Sequence, residues 1–479
     1  MTDAKPASGV RVTIVGSGPN GLAAGAYLSQ MGASVHVIEA NKRIGGGARS
    51  AELTMPGLIH DECSGFHPLG LDTEFSRAVD LSPHGLRYLW PDVQYSHPTD
   101  QRGNGGAALR SPQETADGLA DPRWQKLFGS VSESFGATAE DFLGPMVSVP
   151  RHPLHLANFG VRAALPISGV ARALESESAR GLWAGAAAHA FRPFSAPFSS
   201  AIGMALGTAA HTYGWPVAEG GSQSITDAMA AVILASGGTI DTGQRVTTLT
   251  ELGQTDVVLL DTAPAAAADI CGAKMPDRIA RSYRSYRHGP GAFKVEFAVE
   301  GGIPWRHEPS RRAGTVHVCG SYDEVAEAEA KVCRGEMPDS PFVLLGQQFL
   351  ADPSRSNGDV HPIYSYAHVP AGWNGDATDA IIGQIERFAP GFRDRILATH
   401  VRSTTDLSRY NANYVGGDIV TGANTLDQLI FRPRRTTKPY DTGIDGVYLC
   451  SAATPPGAGA HGMCGYRAAR RALDKLNVI

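Results

Sequence analysis

The residues best placed to do chemistry come early in the chain. Arg11-Val12-Thr13-Ile14-Val15 runs into Gly16-Ser17-Gly18-Pro19-Asn20-Gly21, an Ala-rich helical run follows, and Ser34-Val35-His36-Val37-Ile38 ends on Glu39. Strand, G-x-G-x-x-G turn, helix and a second strand closed by an acid make the βαβ unit that binds a dinucleotide. Gly16 permits the tight turn, Gly18 lets the backbone approach a pyrophosphate, and Gly21 lets the helix pack close to the strand. The free N–H groups and positive dipole end of that helix face the phosphates. Glu39, roughly 20 residues beyond the turn, accepts ribose hydroxyls and repels a 2′-phosphate, which argues against NADP. In a chain with 56 glycines a lone glycine turn would mean little, and it is the ordered series that carries the reading.

Two further glycine loops extend the pattern. Gly45-Gly46-Gly47-Ala48-Arg49-Ser50 adds a cation, suited to a ligand that continues past the pyrophosphate. Near the C-terminus an apolar strand, Gly446 to Ser451, leads through Thr454-Pro455-Pro456-Gly457-Ala458-Gly459-Ala460-His461-Gly462-Met463-Cys464-Gly465 into a helix over Tyr466 to Leu473. A strand, glycine turn and helix in that order make a second place for an anion or electron-rich atom at a helix N-terminus.

Other constellations are weaker. His152-Pro153-Leu154-His155 suggests a metal pair, but proline breaks the helix that would join the two rings and no Cys or carboxylate cluster completes a site, so no metal is expected. Cys63, Cys271, Cys319, Cys333, Cys450 and Cys464 form no C-x-x-C pair, which suits free thiols in a reducing compartment and counts against a dithiol reductase. No nucleophile-elbow motif supports Ser-His-Asp hydrolysis. Arg432-Pro433-Arg434-Arg435 reads as a solvated basic loop.

These residues need a scaffold of more than one core. At 479 residues, two intertwined domains are expected. With 42% hydrophobic and 19% charged residues the chain is globular, and its net charge of -5 gives no reason to expect nucleic acid. Met1 to Gly9 is polar with no apolar leader, and no apolar run reaches the ~18 residues of a spanning helix, so a cytoplasmic protein is expected, with peripheral membrane contact and a homodimer left open. Gln101 to Asp121 is polar and Gly-rich and suggests an exposed hairpin, whereas Pro56 to Pro68 reads as loop. Trp124 to Trp215 shows Leu, Phe and Trp at three- and four-residue spacings, a helical cap over a substrate site. A helix through Ala235, strands at Gly237-Gly238-Thr239-Ile240 and Arg245-Val246-Thr247, and a buried parallel strand over Asp256 to Asp261 return the chain to the dinucleotide domain, with Ala263 beyond it. Phe293, Val295 and Phe297, Phe342 to Leu345 and Tyr364 to Val369 suggest the larger sheet of a substrate domain, and Asp379 to Phe388 an amphipathic helix. Tyr364, Tyr366 and His368 are candidate pocket residues, although strand aromatics are more often core.

The layout resembles the FAD-dependent amine oxidase and phytoene desaturase superfamily, whose members carry a GG-x-x-R[ST] segment shortly after the acid. Within it the chain is most similar to the phytoene-dehydrogenase-related, or pyridine nucleotide-disulfide oxidoreductase domain 2-like, proteins. The resemblance implies an α/β fold: a Rossmann-type FAD-binding domain with a parallel sheet, discontinuous over 1–75, 216–285 and 435–479. A substrate domain of mixed sheet plus helical cap takes 76–215 and 286–434, with the cap at 124–215. It implies FAD held by Gly16, Gly18, Pro19, Asn20, Gly21, Glu39, Ala40, Gly46, Gly47, Ala48, Arg49, Val246, Ala263, Ser451, Gly462, Met463 and Cys464. Val246 would meet the adenine through its backbone, and the N–H groups near Met463 and Cys464 would support the charge of reduced flavin.

Lys294, in Gly291-Ala292-Phe293-Lys294-Val295-Glu296-Phe297, resembles the amine-oxidase lysine that holds a water against the flavin; otherwise it reads as an edge-strand lysine facing solvent. His461 reads either as a proton carrier or as a structural histidine. Cys464 reads as a buried, inert thiol rather than a covalent flavin anchor. The function implied is removal of a hydride from a C–H bond of an apolar or amine-bearing small molecule, with the flavin reoxidised by dioxygen or a quinone. The alternatives are a flavin monooxygenase or ketolase, although Cys450-Ser451-Ala452 stands where the hydroxylases have Gly-Asp, and a non-catalytic partner-binding protein stabilised by FAD.

Overall fold

The computed structural model describes residues 6–478. A five-stranded parallel sheet runs in the order Val447–Leu449, Val257–Leu260, Arg11–Val15, Ser34–Ile38, Thr239–Asp241. Val257–Leu260 is buried throughout, as a central parallel strand covered on both faces must be. Helix Pro19–Gln30 packs between helices Gln223–Ala235 and Met463–Lys475. Glycines set how closely: a Cβ on Gly25 would sit 2.7 Å from Ile233 Cδ1, and one on Gly465 would strike the Asn20 carbonyl. The two glycine-turn helices, far apart in sequence, therefore meet at backbone contact.

A seven-stranded sheet forms the second layer system, in the order Ile396–Arg402, Gly291–Glu300, Val360–Val369, Val343–Gly346, Ala313–Val318, Val93–Pro98, Gly105–Ala108. All its pairings are antiparallel except that of Val93–Pro98 with Ala313–Val318. Successive side chains take opposite faces of a strand. Phe293, Val295, Phe297 and Val299 accordingly share a core with Ile381, Ile382 and Ile385 of helix Thr378–Phe388. Ala292, Tyr364, Tyr366 and Leu344 point the other way, toward a helical cap cored by Trp124, Phe128, Phe135 and Trp183. In that cap, helix Glu177–Ala188 lies against the sheet on small residues; a Cβ on Gly185 would come within 2.6 Å of His317.

Several elements differ from expectation. The helical run begins at Pro112–Gly118, upstream of 124, where Ser111 caps the helix and Pro112 starts it. The hairpin pairs Val93–Pro98 with Gly105–Ala108, so only its second strand lies in the polar stretch. Ser50–Glu52 and Ile59–Asp61 make a small hairpin in what read as loop. Arg245 to Thr247 is not a strand; after Thr239–Asp241 the chain leaves the sheet edge. Arg432 is not solvated: it is buried, donating to the carbonyls of Gln428 and Ala452. No helix among the described residues is long and apolar enough to cross a membrane.

Candidate dinucleotide and substrate site

One cavity of about 530 Å³ reaches from the first glycine turn to the cap-facing side of the larger sheet. Gly16, with φ +102°, makes the turn that follows Val15, and a Cβ on Gly18 would lie 2.6 Å from Asp261 Oδ2. Gly46 abuts the same place, its own Cβ position 2.8 Å from Gly18 Cα. Two glycine loops thus leave a groove with bare backbone on its floor, the surface a pyrophosphate needs. Glu39 is held at its rim: Oε2 accepts the Ser17 N–H at 2.8 Å and its hydroxyl at 2.6 Å, and Oε1 accepts the Asn41 N–H at 2.7 Å. Arg49 Nη2 lies 3.6 Å from Glu39 while Nε donates to the carbonyls of Arg43 and Ile44.

The groove has features suited to a polar ligand. Asn20 Oδ1, Thr262 Oγ1 and Ser451 Oγ are buried without a hydrogen-bond partner, and all three residues line the cavity. Buried polar atoms are rarely left unpaired in a folded protein unless something else pairs them. The residues present therefore fit a dinucleotide.

Asp261, which the sequence reading passed over, closes the back of the turn. Its Oδ2 accepts the Gly21 N–H at 3.0 Å. Burial pushes its carboxyl up to about 7, helped by the charge of Glu39 and opposed by the N–H groups of Gly21 and Gly18. Residues Tyr410 to Tyr414 form a second unforeseen part, a strap across the groove. Tyr410 Oη donates to the Gly46 carbonyl at 2.8 Å, and Asn413 accepts from the Ala263 N–H at 2.7 Å and donates to the Asp261 carbonyl at 3.1 Å. Asp418 does not take part in the cavity; it is buried and accepts the N–H groups of Gly289, Val420 and Gly422.

At the other end the lining turns aromatic and uncharged: Phe66, His189, Leu206, Trp215, Thr315, Leu344, Tyr364 and Tyr366. The Tyr364 and Tyr366 rings meet edge to face with centroids 5.9 Å apart. Tyr364 Oη is fixed on the Cys63 carbonyl.

Of the expected cofactor residues, Gly16, Gly18, Pro19, Asn20, Glu39, Ala40, Gly46, Gly47, Arg49, Val246, Ala263 and Ser451 line this cavity, as do Tyr364 and Tyr366. The others do not. Gly21 and Ala48 lie behind the surface, Gly21 because a Cβ there would strike the Gly16 carbonyl. Met463 is turned into the core, a Cβ on Gly462 would meet Ala23 and Phe75, and Cys464 is buried behind the surface; Ala458 to Ala460 line the cavity in their place. The Met463 N–H is already donated to His461 Nδ1 at 3.1 Å, and the Cys464 thiol donates to the carbonyls of Thr454 and Gly457, with burial pushing its pKa up to about 12.

His461 does not line the cavity; its Nδ1 accepts the Met463 N–H, and burial lowers its pKa to about 4. His368 sits one layer behind the lining, its Nδ1 2.6 Å from Glu329 and its ring stacked on Phe191. Lys294 is neither an edge residue nor a lining residue. Gly291–Glu300 is flanked by strands on both sides, and the ammonium is buried against Glu296 with its nitrogen 3.3 Å from the Tyr364 ring centroid. Burial lowers the Lys294 pKa and Glu296 raises it, with a net lowering; burial raises that of Glu296, and Lys294 and His60 outweigh it. Lys294 shares the cap face of the sheet with Tyr364 and lies over its ring. Among the described residues no group of three or more His, Cys, Asp or Glu is placed to hold a metal ion.

Residues 14–78 match the NAD(P)-binding Rossmann-like domain family. Over 540 aligned positions the chain is 24% identical to pyridine nucleotide-disulfide oxidoreductase domain-containing protein 2 of Mus musculus, covering 95% of this chain and 92% of the mouse protein. A putrescine oxidase double mutant shares the fold with a TM-score of 0.60 at 16% identity, over 98% of this chain and 99% of that one. A CLA-producing fatty acid isomerase from P. acnes does so with a TM-score of 0.57 at 14% identity, over 98% of each chain. The mouse relative and the amine oxidase are oxidoreductases by name. The fold alone selects no substrate, since one neighbour is named for an amine and another for a fatty acid.

Proposed function

We propose that the protein is a FAD-dependent oxidoreductase that removes a hydride from a C–H bond of a small molecule held against the Tyr364 and Tyr366 wall, with dioxygen or a quinone as final acceptor. The observation that carries this reading is the continuity of the cavity, from the Gly16–Gly18 turn and Glu39 to the aromatic sheet face. FAD, when bound, supplies the two-electron chemistry. The chain does the rest. The bare backbone at Gly16, Gly18 and Gly46 receives the pyrophosphate, Glu39 the ribose, and Arg49 offsets the phosphate charge. The strap from Tyr410 to Tyr414 closes over the groove, and the cap helices keep water from the inner end. Asn20, Thr262 and Ser451 offer their unpaired atoms along the way.

The test is anaerobic turnover of the FAD-loaded protein with a panel of candidate substrates. The reading expects the flavin absorbance to bleach as a product two hydrogens lighter accumulates, and colour to return with oxygen or quinone. A product carrying an added oxygen atom, or NADPH consumption coupled to oxygen incorporation, contradicts it.

A further inference from the structure

The inner end of the cavity carries a set of uncharged polar groups that the reading above does not use. His189 follows helix Glu177–Ala188 and lines the cavity. Its Nδ1 lies 3.1 Å from the Ala186 carbonyl, which can only accept, so Nδ1 bears the proton and Nε2 presents a lone pair. The ring is held edge-on between Trp215 and His317, with centroids 5.7 and 5.1 Å away. Burial lowers its pKa to about 4, keeping it neutral. Thr315 Oγ1, buried and in the same lining, has no partner, and neither nitrogen of buried His317 has one.

Register lays these groups in two rows across the sheet. Thr315, Gly346 and Tyr364 are adjacent in one, and His317, Leu344 and Tyr366 in the next. Strands lie about 4.8 Å apart, so Thr315 and Tyr364 stand about 10 Å apart with Gly346 between them. The Gln348 side chain covers that glycine, its Oε1 2.8 Å from where a Cβ would stand and its Nε2 buried without a partner.

Charge is confined to the opposite end. The charged lining residues are Glu39, Arg49, Arg245, Asp261, Asp269 and Arg409, and all belong to segments around the glycine turn and its strap. No carboxylate lines the inner end to pair with an ammonium, and one face of the Tyr364 ring is already occupied by Lys294. An ion buried without a partner is strongly disfavoured, whereas a hydroxyl needs only one acceptor and one donor.

We infer that the inner end of the cavity takes the hydroxyl of an uncharged, otherwise apolar substrate, with His189 Nε2 accepting its hydrogen bond and Thr315 Oγ1 donating one. This inference rests on the FAD reading, because it places the hydroxyl at the substrate end of the same cavity. The FAD-loaded protein is titrated by calorimetry with benzyl alcohol, benzylammonium and benzoate, which share a ring and differ in charge. Benzyl alcohol is expected to bind about tenfold or more tightly than either ion, the scale of one buried hydrogen bond. His189→Phe should weaken the alcohol about tenfold, His189→Gln should restore most of the loss, and Thr315→Val, which keeps shape, should weaken it without changing toluene binding. Benzylammonium binding as tightly as the alcohol overturns the inference. So does an alcohol affinity unchanged in both His189→Phe and Thr315→Val, or no binding by any of the three probes. Failure of the FAD reading shows earlier and separately, as protein that retains no flavin before any titration.

Discussion

The two ends of the cavity are made of different materials. The dinucleotide end is bare backbone, contiguous glycine turns and a few charged side chains at strand ends, whereas the inner end is aromatic rings and neutral imidazoles drawn from the cap and three sheet strands. A ligand rich in phosphate is met by N–H groups and fixed charge, which short local motifs can supply. A small, largely apolar molecule is met by surface shape, which only tertiary packing supplies. Between the two lies a belt of buried ion pairs, Arg355 with Asp61 and Lys294 with Glu296, that supports both ends without lining either.

The sharpest way to break this contrast is at the backbone floor. Gly18→Val keeps an allowed φ but puts side-chain atoms where Asp261 Oδ2 already stands. FAD content of the purified variant should fall to background, a loss of at least about 100-fold in affinity, with far-UV circular dichroism preserved. Retention of FAD by that variant would remove the turn from the site.

The belt comes next. Arg355 is buried and binds Asp61, Asp352 and the Ala218 carbonyl, joining the hairpin at Ser50–Asp61 to the short strand Val217–Ala218. Arg355→Met strands two carboxylates and should cost about 3–5 kcal/mol in denaturant unfolding. Burial raises the Asp61 pKa, but Arg355 and its hydrogen bonds leave it lowered. The stability it contributes is therefore present above its unfolded pKa and is lost as pH falls through its lower folded value.

Lys294→Met tests whether the lysine serves structure or flavin. It leaves Glu296 buried with only His60 beside it and should cost about 3 kcal/mol while FAD content and flavin reoxidation rate stay unchanged. Normal stability with slowed reoxidation would return the lysine to the flavin.

The smallest effect is expected at Asp261. Its folded pKa of about 7 exceeds its unfolded value, so the stability it contributes is full below the unfolded pKa and is lost as pH rises to about 7. An ionised carboxylate beside the turn also opposes phosphate, so FAD affinity should drop as pH passes through about 7, by up to about tenfold. Asp261→Asn should flatten that profile, and a wild-type affinity independent of pH would show that Asp261 does not sense the phosphates.

The same division decides what could be read from the sequence. The first βαβ unit, Val257–Leu260 and helix Met463–Lys475 were legible because their signals are local: an apolar strand, a glycine turn, a helix. The edge-strand alternative for Lys294 fails because burial on a central strand depends on which strands flank it, and no local pattern reports that. Met463 and Cys464 were placed in the site because a glycine turn before a helix usually faces a ligand; here Gly465 lets the helix close on Asn20 and His461 takes the free N–H. The end of the Asp256 to Asp261 strand was legible, but the Asp261 contact with the glycine turn, His189 and the Tyr410 strap left no signal. Each acquires its place only when segments hundreds of residues apart are brought together, as Asp261 is with Gly21.

A crystal structure of the protein soaked with saturating FAD tests the central claim most directly. Density for the adenosine at Glu39, the pyrophosphate over Gly16 to Asn20 and the flavin ring against the Tyr364 and Tyr366 wall is the predicted result. A groove that stays free of dinucleotide at saturation, or FAD bound elsewhere on the molecule, would contradict it.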